Sequence, residues 1–130
     1  MADTFVLDTS ALLCLLKGQP GAERILTALP RASISALNVS DVYALLAQAG
    51  GSEARIAQAI DGLHLRIIPF DEAQARATGM LHAATKSHEL SLGDCACLTL
   101  ARQSKAVALT TERAWSALSD GLGVTIEVIG

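Results

Sequence analysis

"TFVLDTSALLCLLKG", residues 4–18, changes character at a single residue. Residues 4–8 read as a short buried strand and residues 9–17 as a helix. Asp8 stands at the junction, followed by the hydroxyls of Thr9 and Ser10. A strand running straight into a helix is the opening of a βα unit. A carboxylate at that point either caps the helix or forms one corner of a ligand site.

Working outward, the same alternation recurs. Helical spacing covers 20–29, opening after Gln19-Pro20-Gly21, and "ASISA" (32–36) reads as a second strand. A helical pair spans 38–50 and 52–63, broken at Gly50-Gly51, before "LRIIPF" (65–70) as a third strand. A helix is predicted from Asp71 to about His88, and another over 93–105 that is apolar nearly all round and therefore central. "AVALT" (106–110) is the fourth strand, 112–121 a short helix, and "VTIEVI" (124–129) the fifth strand. Strands separated by helices call for a parallel sheet covered on both faces. The expectation is a single domain over residues 1–130, three-layer α/β/α, with about five central strands.

The 130 residues are 51% hydrophobic, 18% charged and 3% aromatic, so Ala, Leu, Val and Ile must build the core. No apolar run approaches the roughly 18 residues that cross a bilayer, and "MADTFVLD" lacks a basic signal-peptide start. A soluble, cytoplasmic protein with no membrane partner is expected. The net charge of −3 argues against a broadly basic nucleic-acid coat but not against a local basic rim. Cys14, Cys95 and Cys97 sit among Leu and Ala, which fits reduced, buried thiols; Cys95-Ala-Cys97 lacks zinc-ligand spacing.

The acids carry the information. Asp8, Asp41, Asp94 and Glu112 all read as helix-start residues, three of them close behind a strand and Asp94 opening the helix before the fourth strand. Asn38-Val-Ser-Asp41 and Ser91-Leu-Gly-Asp94 resemble an N-cap followed by an acid at the third helical position. Glu112 could follow a Thr110 or Thr111 cap. Each acid alone is explained by about 0.3–1 kcal/mol of helix-dipole stabilisation. Together they are not, because a parallel sheet gathers strand C-termini on one edge. Two unit charges ~4 Å apart cost about 4 kcal/mol at an effective dielectric of 20. A divalent cation offsets that repulsion, and carboxylate oxygens are what Mg²⁺ or Mn²⁺ prefer.

Asp71-Glu72 also follows a strand, but an edge position would leave it as a cap. Glu23, Glu53, Asp61 and Glu89 read as solvated, and Asp120 is an outside candidate. His64, His82 and His88 have no metal-ligand spacing. No G-x-S-x-G, P-loop or G-x-G-x-x-G occurs. An acid-only metal site suits phosphodiester hydrolysis, with Thr9, Ser10 and Thr111 as caps or as groups orienting phosphate or water.

"FVLDTSALLCLL", "SISALNVSDVYALL", "LSLGDCACLTLA" and "ALTTERAWSAL", in this order and spacing, resemble the PIN domain family and within it the VapC-type toxins of bacterial toxin–antitoxin pairs. The resemblance implies an Mg²⁺- or Mn²⁺-dependent endoribonuclease acting on structured RNA such as tRNA or rRNA. It also implies a homodimer and a cognate antitoxin reaching into the acidic pocket. Carried over, Asp8 and Asp94 match the family's first and central-helix acids. Asp41 stands where Glu is usual and Glu112 where Asp is usual, so one acid is shortened and the other lengthened by a methylene. Asp8, Asp94 and Glu112 are expected to hold the metal, with Asp41 as a further catalytic acid acting directly or through water.

Two other functions compete with this one. A haloacid dehalogenase-type phosphatase needs a second acid at position 10, which is Ser10 here. A non-catalytic PIN-like module binding RNA or protein, with a degraded metal site, is kept open by the exchanged acids at 41 and 112.

Overall fold

The computed structural model describes residues 3–130; the side chains of Ser119 and Asp120, the latter named above, lie outside the described residues. The apolar runs form five short strands: β1 (Phe5–Leu7), β2 (Ala32–Ser35), β3 (Arg66–Ile68), β4 (Val107–Thr110) and β5 (Thr125–Val128). All pair in parallel, in the order β3-β2-β1-β4-β5. The α/β architecture and parallel sheet expected from the alternation are present.

Side-chain alternation in β1 divides the core. Phe5 and Leu7 join Ile34 and Leu109 against α1 (Thr9–Lys17), α2 (Ala22–Ala28), α3 (Ala36–Gln48) and α4 (Glu53–Asp61). Val6 and Ala108 face the other way, onto α5 (Glu72–Ala84), α6 (Leu92–Ser104) and Trp115. These two clusters are the two helical layers, one on each side of the sheet. Every residue from Cys95 to Ala101 in α6 is buried, as its all-round apolar pattern requires. All three cysteines are free and buried.

Three local expectations are corrected. Helix α3 begins at Ala36, not Asn38, because the Ser35 hydroxyl already caps it by accepting from the Leu37 amide at 3.2 Å. Asn38 is therefore no cap, and Asp41 lies in the second turn rather than at a helix start. The helix predicted to reach His88 ends at Ala84, followed by a 3-10 turn over Lys86–His88. There the Thr85 hydroxyl donates back to the Leu81 carbonyl at 2.8 Å and Glu89 turns left-handed at φ 55°. The last expected helix splits into a 3-10 turn, Arg113–Ala117, and the four-residue α7 (Ser119–Leu122).

The edge strand β5 is tied to α2. Arg24 forms a fork to Glu127 at 2.7 and 2.9 Å and lies 5.1 Å from the centroid of the Phe5 ring. Gly21, at φ 97°, opens α2, and a Cβ there would strike the Ile129 side chain. Backbone strain and overpacking act in the same direction. Gly21→Ala is therefore expected to lose about 2–3 kcal/mol in chemical denaturation; an unchanged midpoint would refute this account of the α2–β5 seam.

Candidate active site

Chain order reverses at β1. The connections through β2 and β3 run to one side of it, and β4 and β5 lie on the other. The gap beyond the C-terminal ends of β1 and β4 is thus the switch point where ligands bind in open parallel sheets. Asp8 stands at this gap, its amide donating to the Leu109 carbonyl at 3.1 Å and so continuing the β1–β4 ladder.

Asp8 is 2% exposed. It caps α1 by accepting from the Ala11 amide at 2.8 Å, so the capping expectation holds. It also accepts from the Ser10 hydroxyl at 2.7 Å and the Thr110 hydroxyl at 2.6 Å. Burial pushes its carboxyl up to about 6, against the lowering effect of those hydrogen bonds, and the charge of Asp94 pushes the same way as burial. The two acids are close enough to repel.

Asp94 is reached through the capping box read from the sequence. Its amide donates to the Ser91 hydroxyl at 3.0 Å, and the Ser91 amide donates to its carboxylate at 2.9 Å. Asp41 comes from α3 and accepts from the Thr9 hydroxyl at 3.3 Å. Glu112 is exposed and precedes the 3-10 turn, where no side-chain cap is made. It does not sit in a first helical turn as expected; instead its amide donates to the Thr110 hydroxyl at 3.0 Å.

Asp8, Asp41, Asp94 and Glu112 line one cleft of about 370 Å³ with Thr9, Ser10, Leu13, Ala44, Leu45 and Ser91. Thr111 is not among the lining residues; its amide donates to the Ser10 hydroxyl at 3.0 Å. By contrast Asp71, beyond the edge strand β3, caps α5 through the Gln74 amide at 2.9 Å. Sequence reading missed two participants. Thr110 is buried and holds Asp8, and Asn38 is wholly buried beneath Thr9. Thr110 was legible only as a cap, while nothing marks Asn38 in the sequence except its spacing of three from Asp41.

Among the described residues, no three His, Cys, Asp or Glu side chains close on a common point that could hold a metal ion. The convergence expected from topology is looser than a ready-made coordination shell. Each carboxylate except Glu112 is held by a neighbour's hydroxyl or amide instead. The donor chemistry nevertheless fits a hard divalent cation: the polar side chains lining the cleft are carboxylates and hydroxyls, and Asp8 carries an ionisation penalty a cation would offset.

Basic residues gather near the opposite edge of the sheet. Arg31 and Arg66 line a pocket beneath β2 and β3, and Arg102 and Lys105 line another beneath β4 and β5. Among the described residues, no helix is long and apolar enough to cross a membrane.

No curated protein sequence matches this chain. Among solved structures, it resembles a chain of the VapBC2 complex of Rickettsia felis bound to a promoter DNA fragment, with a TM-score of 0.75 and 14% identity. That match covers 98% of this chain and 99% of the other. It also resembles a chain of DNA-bound VapBC from Salmonella typhimurium, at TM-score 0.71 and 24% identity over 98% of each chain. VapC20 of Mycobacterium tuberculosis, a Sarcin-Ricin loop cleaving toxin, matches at TM-score 0.74 and 17% identity, over 88% of this chain and 95% of that one. These likenesses establish a shared fold. The sequence itself matches the PIN domain over residues 5–120, and on that match the chain belongs to the PIN domain family.

Proposed function

We propose that the chain is a metal-dependent endoribonuclease, the toxin of a toxin–antitoxin pair, working in the cytoplasm with residues 1–130 as one PIN-like domain. The observation that carries this reading is the cleft at the sheet's switch point, lined by Asp8, Asp41, Asp94 and Glu112. Structural neighbours that are toxin–antitoxin complexes support a cognate antitoxin, and the Sarcin-Ricin loop cleaving VapC20 supports an RNA substrate. The choice of tRNA or rRNA as that substrate, and a homodimer, rest on the family resemblance of the sequence.

Asp8, Asp94 and Glu112 would hold Mg²⁺ or Mn²⁺, with Asp41 completing the set directly or through water. When bound, such a cation polarises the phosphoryl group, activates water and stabilises the leaving oxygen. The chain's own residues do the rest. Ser10 and Thr110 fix both oxygens of Asp8, so the carboxylate keeps one orientation once ionised. The Ser91 amide does the same for Asp94. Exposed Glu112 is the acid with freedom to swing toward a ligand at the rim. Thr9 and Ser10, which line the cleft, orient water and phosphate around them, whereas Thr111 acts only through its amide on the Ser10 hydroxyl. In the net reaction a water oxygen bonds to phosphorus, the bond from phosphorus to the leaving sugar oxygen breaks, and the water's proton ends on that oxygen.

One observation favours a second reading. Three of the acids are already satisfied by local hydrogen bonds, and no three of the described acidic, His or Cys side chains close on a point. A non-catalytic PIN-like module would look the same. Calorimetric titration of Mn²⁺ into the wild type and Asp8→Asn separates them. Binding weakened at least about tenfold in the variant is expected of the nuclease; equal binding in the two proteins would transfer the assignment to the binding module.

A further inference from the structure

Asn38 is wholly buried in α3, and its amide reaches two other helices. The Nδ2 atom lies 3.0 Å from the Gly93 carbonyl in α6 and 3.0 Å from Thr9 Oγ1 in α1. A carbonyl only accepts, so the amide atom facing Gly93 must be the NH₂ group. The same NH₂ then donates to Thr9, whose hydroxyl keeps one proton to give. That proton goes to Asp41 Oδ2 at 3.3 Å, which only accepts. Each donor and acceptor in this chain is thereby fixed by chemistry, from the buried amide out to the carboxylate in the cleft.

Gly93 completes the arrangement sterically. A Cβ built on it would lie 2.5 Å from Asp41 Oδ2 and 3.5 Å from Asn38 Nδ2. The Asp41 carboxylate therefore occupies the space that any other residue at position 93 would fill. What such a residue would displace is the free end of a side chain, not backbone.

We propose that Asn38, Thr9 and Gly93 are positioning residues that aim the Asp41 carboxylate into the cleft. Asn38 and Thr9 pull it by a directed hydrogen-bond relay, and Gly93 leaves it room. This rests on the reading of the cleft as a metal site and assigns the means by which α3 delivers its acid there. Asp41 sits in the middle of a helix, with no cap geometry to orient it. Without the relay it would choose among rotamers.

The test is a double-mutant cycle on Mn²⁺ affinity, with thermal melting beside it. Gly93→Ala is expected to weaken Mn²⁺ binding about tenfold, as supporting partners of metal ligands do. Its melting temperature should be unchanged or higher, because alanine favours the helix over glycine. In the Asp41→Ala background the same Gly93→Ala change should have no further effect on Mn²⁺ affinity. Thr9→Val, which removes the relay's last proton, should weaken binding in the Asp41 protein and not in Asp41→Ala. Unchanged affinity in Gly93→Ala beside weakened affinity in Asp41→Ala would overturn the positioning role and leave the metal site standing. Equal losses with and without Asp41, or no loss in Asp41→Ala itself, would also overturn it. A wild type that binds no Mn²⁺ would remove the functional reading and this proposal together.

Discussion

Asp8→Asn is expected to make the protein more stable at pH 7 while abolishing Mg²⁺-dependent RNA cleavage. The two effects share one cause. Burial raises the Asp8 carboxyl from 3.8 to about 6 in the folded chain, so ionising it in place costs about 3 kcal/mol. The cost is absent below pH 3.8, where the group is neutral in both folded and unfolded chains. It grows as pH rises toward 6 and is complete above it. Asparagine keeps an acceptor for the Ala11 amide and carries no charge. The variant should therefore match the wild type near pH 4 and exceed it by about 2–3 kcal/mol at pH 7 without added metal. A role confined to capping would leave stability almost unchanged at both values, because asparagine caps a helix about as well as aspartate. On the proposed nuclease reading, cleavage should fall at least about a hundredfold, because the variant would give up a metal oxygen. Denaturant titrations at the two pH values, with a cleavage assay on structured RNA, read both halves.

Asp94→Asn is expected to abolish cleavage to the same extent with almost no change in stability. Its side chain retains an oxygen to accept from the Ser91 amide, so the capping box survives. Losing a charge at the N-terminus of α6 costs about 0.3–1 kcal/mol. Relief of the repulsion on Asp8 offsets part of that, and the Asp8 carboxyl should titrate lower in the variant. Melting curves should superimpose within about 1 kcal/mol while cleavage drops about a hundredfold. Retained cleavage in both Asp8→Asn and Asp94→Asn would sink the nuclease assignment.

The sheet and its acids were legible because both obey rules that are local in sequence. Strand–acid–helix at Asp8 and Ser91-Leu-Gly-Asp94 each announce a helix start, and both capping readings hold in the structure. Asp41 misled because two plausible caps lie three residues apart. Ser35 closes β2 and caps α3 first, so the helix runs past Asn38. What stayed hidden depends on contacts across the chain. Thr110 meets Asp8 across 102 positions, and Asn38 meets Gly93 across 55. A hydroxyl at a strand end and an amide in a helix give no local sign of such partners.

The acid cleft lies at the strands' C-terminal edge, while Arg31, Arg66, Arg102 and Lys105, with Asp3 beside the last two, line pockets near the other. The cleft is a local concentration of carboxylates. A polyanion entering it without a cation would meet the repulsion of those carboxylates. On the proposed nuclease reading, a cation held by the acids would admit the substrate's phosphates as well as serve the chemistry done on them.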